Sequence, residues 1–455
     1  MAKNIAMVGF NQLTIKESID VGINVQLAYI DSDKRFSMPN FEFPTFNYSK
    51  IKSFNLELLD IIPPNHLESQ KIFDLGFEAF RRHYFREKFD KLSDIRHWND
   101  VNNLFHMYTS LFYTHIINNK IDSVFFSNIP HEGPYYILYS VAKVLGLRVY
   151  ICKFGPHPGT FWVADGLEDF GFFETITGAG VSYNLPEKPE TPFYMKWNDI
   201  DKNRQNVAKV FCREFVKLLF KTIFLTFLWD ASSFKRSFWR LIVLRDKLRF
   251  ISTKKEMKIE QLNGIKFVYF PLHRQPECSA DSQGFEFGDQ ILAIERLREL
   301  LPDDVFILVK ENPKQVRHAR SKSFTDRIRL IKNTIYTTDD IPTFQIIERS
   351  IAVATLAGTA GFEAMLLGKP VILFGLTWYN SSPFCYNYRN MPDINEILQT
   401  RVERVQLEEW YAEQTKKLYP GIIEEAFSHI SDPDPCEWAP ITAKSIHDII
   451  MKDSI

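Results

Sequence analysis

TLAGTAGFEAMLLGKPVILFG, Thr355–Gly375, is the stretch on which the fold turns. An apolar β-type run, Ile351–Thr355, ends in small residues. A short helix-like stretch follows, and Gly368-Lys369-Pro370 returns the chain to a second buried run, Val371–Phe374. Strand, helix and strand in so short a span is the rhythm of a parallel sheet. Gly358-Thr359-Ala360-Gly361 leaves backbone N–H groups accessible at the start of the helix, where the helix dipole favours an anion.

Working outward, the same rhythm fills the second half. Lys266–Leu272, Val305–Lys310 and Ile335–Thr337 read as strands, and Asp289–Leu300 and Thr343–Arg349 as helices. The first half reads alike. Strands are expected at Asn4–Phe10, Val25–Ile30, Ile121–Ser127 and Arg148–Cys152, with helices at Asn99–Asn119 and Tyr135–Leu145. The expected fold is α/β, with two Rossmann-like domains facing a central cleft. One domain is expected over 1–190 and a second over 263–430, with 191–262 a basic, aromatic helical insertion or linker between them. The tail, 431–455, carries a helix over Ile441–Met451 that in such folds often packs back on the first domain.

Composition narrows the classes. The 455 residues are 45% hydrophobic and 24% charged, as in globular chains, and are too many for one ordinary core. A net charge of −1 argues against a general polyanion binder. Five scattered cysteines, at 152, 212, 278, 385 and 436, form no CxxC pair, which argues for a reducing compartment and against a zinc site. The start, MAKNIAMVGFNQ, has the wrong flanks for a signal peptide. The longest membrane-like run, Thr222–Trp229, falls short of the roughly 18 residues a span needs. A cytoplasmic protein is the expectation.

In open α/β sheets ligands bind beyond the carboxyl ends of the strands. That rule selects three loops in the second half: Phe270–Glu277, Val309–Lys314 and Thr355–Gly361. Lys310, Asn312 and Lys314, with Pro313 between them, suit contacts to phosphate oxygens; charges on a solvated strand end are the plainer alternative. Glu363, in the first helical turn, is placed to hold a ribose. For Gly358–Gly361 the alternative is a tight turn packed closely by glycine. His273 and Glu277 offer an imidazole and a carboxylate four residues apart on one loop. In the first half, His131, Glu132 and Gly133 follow one strand, His157 lies in a Pro/Gly loop, and Asp165 and Glu168 follow. These are candidates for binding the acceptor and activating its hydroxyl. Asp31-Ser32-Asp33 reads as a turn, and no metal-ligand cluster is visible.

The stretch 202–255 holds fourteen Lys or Arg against three acids, interleaved with Phe, Trp, Leu and Ile. Three readings stay open: a helical insertion with a solvated basic face, an interfacial element on anionic lipid, and a nucleic-acid contact that lacks any recognised module.

FVYFPLHRQPE, GDQILAIERL, LVKENPKQ and ATLAGTAGFEAMLLGKPVILFG together resemble bacterial capsule polysaccharide biosynthesis proteins, and among them the retaining β-Kdo transferases. The resemblance covers about 265–380 and, more loosely, the first-half loops; it does not cover 202–255. It implies a GT-B type glycosyltransferase that needs no metal or other cofactor, binds the acceptor on the first domain, 1–190, and a CMP-linked donor on the second, 263–430. The product would be a capsule or lipopolysaccharide O-antigen, built at the cytoplasmic side, peripheral on the inner membrane if 202–255 contacts lipid. Retention implies two displacements through an enzyme carboxylate, here Glu277, with Asp281 second. His273 would polarise the donor carboxylate or assist the leaving group, and Glu132, Asp165 or Glu168 would manage the acceptor proton. One departure is clear: where relatives often show His-Pro, this chain has Asn312-Pro313, and Asn is no proton donor. Two alternatives remain. One is a transferase of another CMP- or UDP-sugar. The other is a non-catalytic assembly component whose membrane recovery depends on Lys235, Arg236 and Arg240.

Overall fold

The computed structural model describes residues 3–30, 41–47, 51, 61–88, 98–190, 213, 215–217, 219–220, 223–224, 259–275, 277–312, 315, 320–337, 341–423 and 435–452. The Asp31-Ser32-Asp33 turn, Pro313, Lys314, Lys235, Arg236, Arg240 and most of 202–255 lie outside the described residues.

The first half contains β1 (Ile5–Val8), α1 (Gln12–Asp20), β2 (Val25–Ile30), β3 (Thr45–Asn47), α2 (His66–Lys88), α3 (Trp98–Asn118), β4 (Ser123–Phe126), α4 (Gly133–Val144), β5 (Arg148–Phe154) and β6 (Thr160–Asp165). In the second half come β7 (Phe267–Pro271), α5 (Cys278–Asp281), α6 (Gln290–Leu300), β8 (Phe306–Lys310), α7 (Lys322–Arg329), β9 (Thr334–Thr337), α8 (Thr343–Arg349), β10 (Ala352–Thr355), α9 (Thr359–Leu366), β11 (Val371–Leu373), β12 (Cys385–Asn387), α10 (Ile394–Gln399) and α11 (Arg404–Lys416). Two elements close the chain, β13 (Tyr419–Pro420) and α12 (Pro435–Lys452).

Each half builds a sheet. The second is parallel throughout, in the order β12-β11-β10-β7-β8-β9. The first runs β13-β6-β5-β4-β1-β2-β3, parallel from β5 to β3, with β6 and β13 antiparallel at one edge. Both are doubly wound, so the order reverses between β7 and β10 in one sheet and between β1 and β4 in the other. Crevices open beyond the strand ends at such points. The central strands are buried from end to end, as in β1 and β10, because helices cover both faces.

Local chemistry sets several boundaries. The first strand stops at Val8, earlier than the sequence suggests, because Gly9 turns the chain at φ 76°. A Cβ there would also lie 2.6 Å from Ser127 Oγ. Pro134 sits in the opening turn of α4, which begins at Gly133 and not at Tyr135. Asp289 caps α6, its carboxylate accepting from the Ile291 N–H at 3.2 Å.

The chain returns to the first sheet before residue 430. Tyr419 pairs with Phe161, and α12 packs on α1, adding Ile446 and Ile449 to the core under that sheet. Burying two such side chains contributes about 1.5–3 kcal/mol each. The halves meet along an aromatic seam where Trp162 stacks on Trp378 at 5.2 Å. The buried Gln414 closes it: its side-chain amide donates to the carbonyls of Gly171 and Trp378, at 2.9 and 3.0 Å, and its backbone carbonyl accepts from the Trp162 indole at 3.1 Å. Among the described residues, no helix is long and apolar enough to cross a membrane.

Candidate active site

Three loops of the second half converge at the switch point between β7 and β10. His273 Nε2 accepts the Ala357 N–H at 3.2 Å, tying the loop after β7 to the turn after β10. Gln275 and Gln315 exchange two hydrogen bonds, of 2.9 and 2.8 Å, which tie in the loop after β8. Gln290 braces His273 from below: its carbonyl accepts the His273 N–H at 2.7 Å, and its amide donates to the His273 carbonyl at 3.1 Å.

Beneath them lies a buried ion pair. Arg320 and Glu311 meet at 3.0 Å with side chains only 5% and 3% exposed. The same guanidinium donates to Gln275 Oε1 at 2.8 Å and to the His273 carbonyl at 2.7 Å. Sequence reasoning missed Arg320, Glu311, Gln275, Gln290 and Gln315 as a set.

Burial holds the His273 imidazole down to about 4, and nearby Arg320 adds to this. At neutral pH the ring is therefore uncharged. With Nε2 accepting, its proton sits on Nδ1, a buried atom with no hydrogen-bond partner. An unsatisfied donor at that place is a cost that an incoming acceptor removes.

The turn at 358–361 is both a cradle and a close-packing device. Gly358 precedes α9 without a side-chain cap, so the first N–H groups of the helix, on Thr359 and Ala360, have no partner among the described residues. A Cβ on Gly358 would lie 3.1 Å from His273 Nε2, and one on Gly361 would collide with the Tyr379 hydroxyl. That hydroxyl donates to the Gly358 carbonyl. Glu363 is buried, and burial raises its carboxyl to about 7, opposed by a hydrogen bond from Thr359. Lys310 is also buried, its ammonium donating to the Ile341 carbonyl in the loop after β9. The Asn312 N–H donates to Glu311 Oε1 at 2.8 Å.

Glu363 makes a measurable prediction. A carboxyl whose native value lies above its unfolded 4.5 adds stability below that pH and loses it as pH rises through about 7. Glu363→Gln is therefore expected to gain on the order of 3 kcal/mol over the wild type between about pH 5 and about pH 8. Denaturant titrations of both proteins at the two pH values check this. His273 and His115, both lowered to about 4 by burial, slope the other way, losing stability as pH falls below 6.5. Both proteins share that slope, so it cancels in the comparison.

The carboxylates differ in their engagement. Asp281 accepts from the Gln275 amide and from the Glu277 N–H, each at 3.1 Å. Glu277 is exposed at the start of α5, accepting a 3.4 Å bond from Ser279. Next to Asp281, Ser282 Oγ lies 3.2 Å from His83 Nε2 of the first half, so α5 stands at the boundary between the halves.

The first-half candidates separate into three places. His131 and Glu132 follow β4 at that sheet's own switch point. His131 Nδ1 lies 2.8 Å from the Ile129 carbonyl, Glu132 precedes α4, and Gly133 packs on the Phe80 ring. His157 is held in the seam between halves: it stacks on Tyr183 at 4.0 Å and its Nε2 meets the Tyr411 hydroxyl at 2.9 Å. Asp165 and Glu168 are not brought to the carboxyl ends of the parallel strands. Asp165 pairs with Arg148, the first residue of β5, and Glu168 lies 3.6 Å from Lys143 in the last turn of α4. The reason is strand direction: β6 runs antiparallel, so its end faces the opposite edge from the ends of β4 and β5. Among the described residues, no group of three or more His, Cys, Asp or Glu is placed to hold a metal ion.

With this geometry in hand, comparison with known proteins is informative over one segment. Solved structures that the chain resembles include KpsC beta Kdo 2,7 transferase of Thermosulfurimonas dismutans, with TM-score 0.34 and 10% identity over 94% of this chain and 99% of that one. KpsC beta Kdo 2,4 transferase of the same organism gives TM-score 0.32 and 13% identity over 68% and 87%. UDP-GlcNAc 2-epimerase from Methanocaldococcus jannaschii gives 0.24 and 11% over 90% and 97%. Nothing about this chain's activity rests on likeness at that level. No curated protein matches. The family model for capsule polysaccharide biosynthesis proteins matches residues 280–403, so the segment from Asp281 through Lys310 to the 358–361 turn carries the signature of that family.

Proposed function

We propose that the chain is a glycosyltransferase of bacterial surface polysaccharide assembly, which moves Kdo from CMP-Kdo to a glycan acceptor with retention. The observation that carries this reading is the tie between two loops at one switch point: the turn whose Thr359 and Ala360 N–H groups have no partner among the described residues, and the loop after β7, which carries the buried Nδ1–H of His273 and, four residues on, the exposed carboxylate of Glu277. A CMP-linked ulosonic sugar has one phosphate and one carboxylate, which two N–H groups and one imidazole donor match without further cations.

The chemistry follows in two displacements. The Glu277 carboxylate attacks the anomeric carbon, and the bond to the phosphate oxygen breaks with its electron pair leaving on CMP. The α9 N–H groups hold the charge that builds on that phosphate. His273, neutral and fixed in its tautomer, orients the donor as a hydrogen-bond donor and does not supply the leaving proton. An acceptor hydroxyl then attacks the glycosyl-enzyme from the opposite face while Glu132 takes its proton. The Glu277–carbon bond breaks, and two inversions give net retention.

Thermal unfolding with CMP, CMP-Kdo, UDP or no ligand tests the donor. A nucleotide at 100 times its dissociation constant stabilises the native state by about 2.7 kcal/mol. A shift with CMP and not with UDP is expected. A shift with UDP alone replaces the donor class, and no shift with any of the three removes the nucleotide-sugar reading.

A further inference from the structure

The described helical residues between 213 and 224 put an apolar stripe on the surface. Val216, Leu219, Phe220, Ile223 and Phe224 fall at the spacing of one helix face and are 49%, 41%, 68%, 49% and 64% exposed. Arg213 and Lys217, one turn apart, are exposed beside them. Contiguous apolar side chains on a surface mark an interaction site, because isolated molecules seldom leave such patches in water.

Charge decides what covers the stripe. The surrounding sequence, 202–255, carries fourteen Lys or Arg against three acids, while the whole chain is at −1. A second copy of the chain would bring two such cationic sets together and repel. Nucleic acid would satisfy the cations but leave five apolar side chains against phosphates and water. An anionic bilayer satisfies both, with Phe and Leu at the acyl boundary and Lys and Arg among the headgroups.

We propose that the helical residues described between 213 and 224 dock the protein on anionic lipid through Val216, Leu219, Phe220, Ile223 and Phe224, with Arg213 and Lys217 at the headgroup level. This goes beyond the transferase reading and does not depend on it.

The test is sedimentation of the full chain with phosphatidylglycerol–phosphatidylcholine vesicles and with phosphatidylcholine vesicles alone. The wild type is expected to sediment with the first, more weakly as salt rises. The variant carrying Leu219→Ser, Phe220→Ser and Phe224→Ser is expected to bind about 100-fold more weakly with an unchanged unfolding temperature. Arg213→Glu with Lys217→Glu should lower affinity for the anionic vesicles at least about thirtyfold and leave the neutral ones unaffected. Should the triple variant fail to fold, Phe220→Ser alone reports the apolar contribution. Failure of the wild type to bind anionic vesicles, or equal binding by the serine variants, overturns the proposal. So does a fall in solution mass on serine substitution without any vesicle binding, which would make the stripe a contact between copies.

Discussion

Glu277→Gln is expected to lower sugar transfer by about a thousandfold or more, a loss of about 4 kcal/mol of transition-state stabilisation, without changing the fold. The expectation follows from what the carboxylate does in the resting protein. It is exposed, it precedes α5 without capping it, and it accepts one long bond from Ser279, which the amide oxygen of Gln also accepts. Almost nothing structural depends on its charge, so a fall in rate measures chemistry. Asp281→Asn is the informative partner. Asp281 anchors both the Gln275 amide and the Glu277 N–H, so its substitution should reduce stability and activity together. Initial rates, unfolding temperature and mass spectrometry of the protein after incubation with donor separate the two. A sugar adduct on the wild type that Glu277→Gln abolishes identifies the nucleophile. Full transfer activity in Glu277→Gln would end that assignment, and an adduct that persists there and vanishes in Asp281→Asn would move it to Asp281.

The second half was legible because its signals are local. Buried strands, the Asp289 cap and the glycines around α9 each act over a few residues, and strand-to-turn transitions locate the loops that meet at the switch point. The network that fixes those loops was not legible. Arg320 reaches His273 and Gln275 across more than forty residues, and Gln290 and Gln315 are residue types with no pattern of their own. Nor does side-chain period reveal strand direction. Asp165 follows an apolar run as Asn128 does, yet β6 is antiparallel and turns that carboxylate to Arg148. The long helix α2 escaped notice because exposed Leu67 and Leu75 blur its apolar stripe. Its fit to α4 depends on Gly76 lying against Ser140, a contact between distant segments.

Arg320→Met is expected to cost about 3–5 kcal/mol of stability, the largest effect on folding of any single substitution argued for this protein. The Glu311 side chain is 3% exposed, so losing its partner leaves a carboxylate in the interior with a 3.2 Å bond from the Tyr336 hydroxyl and a 2.8 Å bond from the Asn312 N–H. Arg320→Lys should recover only part of the loss. One ammonium cannot reproduce the planar fork that reaches Glu311, Gln275 and the His273 carbonyl together, or its seat 4.4 Å over the Phe324 ring. Replacing both partners, Glu311→Met with Arg320→Met, removes the buried charge, so stability should return to within about 1–2 kcal/mol of the wild type. Nucleotide affinity should not return with it, because the His273 and Gln275 attachments are still missing. Denaturant titration and the CMP-induced shift, measured on the single and double variants, therefore separate two roles of one arginine. A cost below about 1 kcal/mol for Arg320→Met would mean that the pair is hydrated in solution. Full CMP affinity in a stable double variant would mean that the loop holds its shape without the guanidinium.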